Sequence, residues 1–427
     1  MYSNRNLHLF FYLANLSIVI WFLINGSKIS YLSLSLIGLT AYLNVICLLV
    51  SVNSIKVNLN LFLSFIFFLH IILCGIFLTE NILIFYILFE SSLIPMFLLV
   101  IGWGARLEKA RAAYYLFFYT FISSILMLLS IIKLYLLTGS LNIEIMLCCS
   151  IPISYQKWGM ICMFIAFSVK IPMIPFHIWL PQAHVEAPLA GSILLAGIML
   201  KLGAFGFIRL ALPLYPYSFY YYSPSLLFLS LVSILYGGLS TIRQSDMKRL
   251  IAYSSVAHMG FATYALFNPI DIELGIIGCI LILIAHGFAS PALFSVVGFL
   301  YERYHTRIIK YFNGVGQVMP LLGVFCFLFT LCSIAFPGSL NFVGEFIIII
   351  LASQYAYSHG FMMFIGCLIG LVYSLYFYQR IFTGSTSNYL KNGKDLNREE
   401  SLSLILLFTP IILLGIWPFI LIRLLIN

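Results

Sequence analysis

Five ionisable residues stand inside apolar stretches: Glu90 in ILFESSLIPMFLL, Lys170 in FSVKIPMIP, Lys201 in IMLKLGAFG, His286 in LIAHGFAS and Glu345 in NFVGEFIIII. His258, in YSSVAHMG, joins them. Charge sunk in hydrocarbon is costly, so such residues pair, stay neutral or serve a path for ions. Glu90 lies far from any polar loop, and Lys170 is its natural cationic partner. A lysine taken out of water holds its proton less firmly, and a carboxylate beside it restores the hold. Moving such a pair together and apart switches the lysine between binding and releasing a proton. At an effective dielectric near 20 a close pair interacts by about 4 kcal/mol. Moving one charge through 100 mV takes about 2.3 kcal/mol. The magnitudes suit a proton switch, so the chemistry these residues point to is proton translocation. His177, His184 and Glu186 fall near one end of an interrupted span, as an entry vestibule or as support for a broken backbone. His305 closes a later span beside Glu302 and Arg303, near solvent. Glu144, Asp271 and Glu273 fall at span ends and read as solvated, while His8, His70 and His359 show no evident partner.

The elements that must hold these groups are membrane helices. Of the 427 residues, 63% are hydrophobic and 8% charged, where a soluble domain carries about a quarter charged. The chain is therefore an all-α polytopic membrane protein with no separate soluble domain. About 20 apolar residues cross the hydrocarbon. Spans are predicted near 7–24, 29–52, 59–79, 81–101, 112–137, 158–185, 188–212, 224–242, 247–266, 271–300, 320–355, 361–383 and 402–424, thirteen in all. Basic residues collect on one side of the short connections. With this division fifteen fall on one side, five on the other, and Lys170 and Lys201 stay within the membrane. The count places the N-terminus inside and the C-terminus outside. The first apolar run, LHLFFYLANLSIVIWFLI, follows directly on the start, so no cleavable presequence is expected. The net charge of +9 is spread over these connections and signals no nucleic-acid binding. The polar stretches RLEKAR and TGSTSNYLKNGKDLNREES read as solvated loops.

Two spans are interrupted. Pro172 and Pro175 break the sixth, and Pro337 with Gly338 breaks the eleventh, because proline removes an amide donor and clashes with the preceding turn. Irregular backbone survives at membrane depth only where protein or water satisfies it. Breaks five spans apart imply two inverted five-helix repeats, each with a discontinuous helix where ion sites form. The predicted organisation is N-terminal helices over 1–58, a first repeat over 59–212, a second over 213–383, and a polar loop with a last helix over 384–427. There is no P-loop, no G-x-G-x-x-G after a strand and no cysteine set for an iron–sulfur cluster; the nine cysteines form no C-x-x-C pair and read as packing residues. No metal or cofactor is expected on this chain, and the energy must come from another subunit or a gradient.

The segments SVKIPMIPFHIWLPQAHVEAPLAGSILLAGIMLKLGAFGFIRL, QSDMKRLIAYSSVAHMGF, IAHGFASPALFSVVGFLYERYHTR and FPGSLNFVGEF, in this order between about residues 80 and 382, closely resemble the antiporter-like subunit 4 family of respiratory complex I. The resemblance implies a membrane-arm subunit of the proton-pumping NADH:ubiquinone oxidoreductase. It implies that Glu90 is the family's buried glutamate, Lys170 the lysine of the first broken helix and Lys201 the bridging lysine. His286 would be a histidine of the central polar axis and Glu345 the acid of the second broken helix. His177, His258 and His305 are weaker candidates for the same work. NADH, FMN, iron–sulfur clusters and ubiquinone are expected in other subunits, and quinone chemistry would drive the axis from a distance. Expected partners are the antiporter-like subunits 2 and 5 and lipids such as cardiolipin; no nucleic acid is expected. The implied location is the mitochondrial inner membrane, with a bacterial plasma membrane as the alternative. Members usually have fourteen spans with the glutamate on the fifth; here Glu90 is on the predicted fourth, as though one N-terminal helix were missing. A different class, a subunit of a multisubunit cation/proton antiporter, would usually carry lysine where Glu345 stands. A third, a structural scaffold, would need its buried charges only to pair.

Overall fold

A computed structural model describes residues 30–390 and 393–426 of the chain. The predicted span 7–24, with Arg5, Lys28 and Lys391, lies outside the described residues. Fourteen helices carry the architecture: α1 Tyr31–Ser54, α2 Leu59–Leu78, α3 Ile82–Trp103, α4 Lys109–Thr138, α5 Ile153–Lys170, α6 Trp179–Glu186, α7 Leu189–Leu214, α8 Pro216–Ile242, α9 Met247–Phe267, α10 Ile272–Tyr304, α11 Pro320–Ser333, α12 Leu340–Tyr355, α13 Tyr357–Phe382 and α14 Arg398–Ile416. Ten of these are long and apolar enough to cross a membrane unaided. The remaining four form the two interrupted crossings, α5 with α6 and α11 with α12. Every predicted span from 29–52 onward thus coincides with a helix or a broken pair. The last is shorter than predicted: α14 stops at Ile416, before Pro418, and a separate helix runs Phe419–Ile426. Among the described residues there are no strands, only isolated bridges between Asn81 and Asn142 and between Asp246 and Ile308.

The two breaks share one solution to the same backbone problem. A helix end leaves carbonyls without partners, and no water is at hand in hydrocarbon. In the first break the indole of Trp179 donates to the carbonyl of Val169, 2.9 Å, the penultimate residue of α5. In the second, the Asn341 amide donates to the carbonyl of Cys332, 2.8 Å, the penultimate residue of α11. Each donor opens the second half of its own broken helix. The freed amide of Ile174 donates to the Ser233 hydroxyl of α8. Gly338, at φ +96°, makes the turn of the second break in a conformation that side chains disfavour.

The middle of the molecule is α7, α9 and α10. α7 and α9 are almost wholly enclosed, while α13 and α14 lie at the periphery. α7 is not a regular helix: π-helical turns occupy Leu195–Met199 and Phe207–Ala211. A π-turn leaves a carbonyl unclaimed by the helix and is often found at functional positions. α3 is kinked at Ser92, just after Glu90, because Pro95 has no N–H to offer the carbonyl one turn back.

Candidate functional site

The enclosed helices bring four of the predicted residues into one row. The ammonium of Lys201, on α7 and fully buried, donates to the carbonyl of Ala196, which the first π-turn frees. It also contacts His286 Nδ1 on α10 at 3.1 Å. The rings of His286 and His258, on α9, have centroids 5.8 Å apart. His258 Nδ1 is 3.5 Å from Glu345 Oε1 on α12. The row therefore crosses the middle of the protein through α7, α10, α9 and α12.

At Lys201 and His258 the hydrogen bonds tolerate a change of protonation. A charged lysine has three N–H donors; the neutral amine keeps two, enough for both contacts of Lys201. His258 Nε2 lies 3.3 Å from the hydroxyl of Tyr373. A phenol donates or accepts, so neutral His258 accepts from Tyr373, while the imidazolium donates to both Tyr373 and Glu345. His286 Nδ1 also faces the Ser290 hydroxyl at 3.4 Å, and its Nε2 has no partner among the described residues. Cys367 Sγ lies 3.7 Å from the other oxygen of Glu345.

Glu90 and Lys170 form a separate pair beside this row. They do not touch as their sequence pairing suggests. Lys170 Nζ, buried at the end of α5, has no hydrogen-bond partner and lies 4.4 Å over the ring of Phe89. Glu90 is half-buried, with Oε1 enclosed and unbonded. No ion pair joins the two groups among the described residues; the ring that the ammonium lies over, Phe89, is next in sequence to Glu90. The other candidates are placed elsewhere. His177 is buried with its ring toward Tyr236 and Tyr253. His305 is exposed at the end of α10, in a polar cleft with Lys56, Glu302 and Lys394; the structure does not bring it to the row. His184 is fully buried, stacked on Phe294 at 4.5 Å, and neither ring nitrogen is bonded.

Near His184 the sequence reading missed a buried ionic knot. Arg307 has no exposed surface. It donates to the Val185 carbonyl and lies 3.6 Å from Glu186 Oε1. Lys248 Nζ donates to the Ala187 carbonyl at 2.9 Å. Burial lowers the proton affinity of the Arg307 guanidinium, and Asp246 and Glu186 oppose that shift; arginine stays charged regardless. Both basic residues sit at helix ends or in a loop, where charge counting takes them for solvated. Ser290 was findable, since it follows His286 by four residues on one helix face. Tyr373 and Cys367 come from a distant helix and leave no local trace.

A broken-helix membrane bundle with a buried row of acids, bases and a lysine defines a class: antiporter-like ion-translocating proteins. Residues 79–372 match the model of the NADH:quinone oxidoreductase/Mrp antiporter transmembrane family, and the chain belongs to that family. It is 48% identical to the NADH-ubiquinone oxidoreductase chain 4 of Metridium senile, over 91% of this chain and 78% of that protein. Among solved structures it resembles a chain of respiratory complex I from Thermus thermophilus, with TM-score 0.86, 28% identity, and 92% and 83% of the two chains covered. A chain of the Mrp complex from Dietzia sp. has TM-score 0.87 at 15% identity, with 99% and 91% covered; that likeness shows the fold alone.

Proposed function

We propose that this chain is a proton-translocating membrane-arm subunit of NADH:ubiquinone oxidoreductase, respiratory complex I. It couples electron transfer in other subunits to proton movement across the mitochondrial inner membrane. The observation that carries the reading is the row Lys201, His286, His258 and Glu345, with contacts of 3.1 Å and 3.5 Å at its two ends and ring centroids 5.8 Å apart in its middle. A water, in this reading, carries the proton across the wider gap between the imidazoles. In this reading Lys201 hands a proton to His286, and His258 passes it to Glu345. Glu90 sets the state of Lys170: when it moves close, Lys170 holds its proton; when it withdraws, Lys170 releases it. His177 and His305 lie off the row, and in this reading they serve as access groups.

The organisation that fits is two inverted repeats over 59–212 and 213–383, with the matching solutions at Val169 and Cys332 in support. Subunits 2 and 5 and cardiolipin are the proposed neighbours, with Glu90 half-buried on a face left for one of them. NADH, FMN, iron–sulfur clusters and ubiquinone belong to other subunits. A cation/proton antiporter subunit is the second reading; the resemblance gives such proteins a lysine at the position of Glu345.

The test uses the assembled complex in sealed vesicles. Lys201→Met and Glu345→Gln are expected to cut proton pumping at least tenfold while the complex still assembles. Normal pumping in both variants rejects the row. Pumping driven by a sodium gradient without NADH supports the antiporter instead.

A further inference from the structure

The polar row ends at Glu345 in the membrane interior, so a proton reaching it still has to leave. The basic connections mark one face of the bundle. Arg106, Arg243, Lys248, Arg303, Arg307 and Lys394 lie at or beside turns there, and hydrogen bonds such as Met247 N to the Arg307 carbonyl tie those turns together. α9 starts at this face, and α12 continues from the break the crossing that α11 begins there, so both run toward the opposite, basic-poor face. Tyr264 is six residues beyond His258 on α9, about 9 Å further along the helix. It is fully buried, yet its hydroxyl reaches His359 Nδ1 at 3.0 Å. His359 begins α13, just past the turn from α12, and is half-buried at the basic-poor face. The ring of Tyr355 packs on it at 5.0 Å. Among the described residues His359 makes no other side-chain hydrogen bond. Tyr264 and Tyr355 are the titratable groups that face it.

We propose that Tyr264 and His359 are the terminal outlet of the proton row. This rests on the translocation reading above. The Tyr264 hydroxyl donates its proton to Nδ1 of His359 while His359 releases the proton of Nε2 to water at the surface. The phenolate oxygen takes a proton from the His258–Glu345 pair through water. The imidazole is left as its other tautomer; rotation of the half-buried ring turns Nδ1–H to surface water, where it is lost as Nε2 regains a proton, and the ring turns back. One proton enters at Tyr264 and one leaves at His359, so the step balances. Between Glu345 and this pair stand Phe261, Ile348, Leu351 and Ala352, all buried. This apolar collar separates the row from the outlet, so a proton crosses only when the collar admits water. The Asn268 amide, bonded to the Leu351 carbonyl at 3.0 Å, holds α9 and α12 together beside it.

The experiment measures NADH-driven pumping by the assembled complex in vesicles. His359→Gln keeps an oxygen that accepts from Tyr264 but cannot relay a proton. A structural role for the bond predicts parental pumping in this variant; the outlet predicts at least a fivefold loss. His359→Ala should lose pumping as well and regain it when imidazole is added on the basic-poor side. Tyr264→Phe, which removes only a hydroxyl, should match His359→Gln. Parental pumping in His359→Gln or in Tyr264→Phe overturns the outlet, as does a His359→Ala loss that imidazole leaves unrelieved. Lys201→Met is run alongside. If it too pumps normally, the translocation reading has failed; if it alone is silent, only the outlet has.

Discussion

At the scale of single residues, what distinguishes Lys201 and His258 is that each has contacts that survive gain or loss of a proton. His258 shows this best, held between an acid that only accepts when ionised and a phenol that does either. Tyr373→Phe removes that second partner and leaves the ring packing in place. The imidazolium then keeps a buried N–H with nothing to receive it, at a cost of about 1–3 kcal/mol. Pumping by the assembled Tyr373→Phe complex should therefore fall by at least about tenfold, with the amount of complex on a native gel unchanged. Unaltered pumping would mean that protons bypass His258. Glu90, Lys170, Lys201, His258, His286 and Glu345 were all legible in the sequence, because an ionisable residue in an apolar run stands out against its surroundings. The partners that make them workable were not. A tyrosine or cysteine in a membrane helix looks the same whether it faces lipid or an imidazole, and only the packing of α13 on α9 and α12 decides.

At the scale of elements, the breaks were readable and the distortion of α7 was not. Proline announces itself by the donor it lacks. Neither π-turn in α7 contains a proline; the first, Leu195–Met199, holds Ala196 and Gly197, the second, Phe207–Ala211, is bulky, and no common local signal marks the two. Lys201 depends on one of them, since the regular helix would claim the Ala196 carbonyl for itself. The approach of α7 to the first break depends on Gly203. A Cβ there would lie 2.6 Å from Ile171 Cγ1 and 2.7 Å from the Phe167 carbonyl oxygen. Backbone at such a distance cannot yield without moving α5, and overpacking of this kind costs about 1–3 kcal/mol. Gly203→Ala should lower the thermal midpoint of the purified complex and weaken pumping together. Gly38, around which a Cβ meets nothing within 4 Å, should accept the same change without effect on either. Equal behaviour of the two variants would show that close contact between α5 and α7 is not what holds Lys201 in place.

At the scale of the whole molecule, the row of Lys201 and His286 crosses between the two proposed repeats, and so does the ionic knot at the basic face. Val185 and Glu186 end α6, in the first; Lys248 opens α9 and Arg307 lies in the loop beyond α10, in the second. The Asp246–Ile308 bridge and the bond from Met247 N to the Arg307 carbonyl bind that loop to the start of α9. The knot therefore fixes the second half of the broken helix against the far half of the protein. Its two basic charges, Lys248 and Arg307, were counted as loop charges in the sequence, because nothing local tells a solvated arginine from one with no exposed surface. Burial makes the knot sensitive to any single change. Taking one partner from a buried ion pair costs about 3–5 kcal/mol, since the other charge stays enclosed and uncompensated. Glu186→Gln removes the acid and leaves Arg307 and Lys248 facing each other with Asp246 as the remaining counter-charge. The variant complex is expected to unfold at a clearly lower temperature and to yield less assembled protein. An exposed charge such as Arg398, changed to Gln, should leave both within error. If Glu186→Gln proves as stable as the parent, the two halves are held by apolar packing alone, and the knot has another reason to exist.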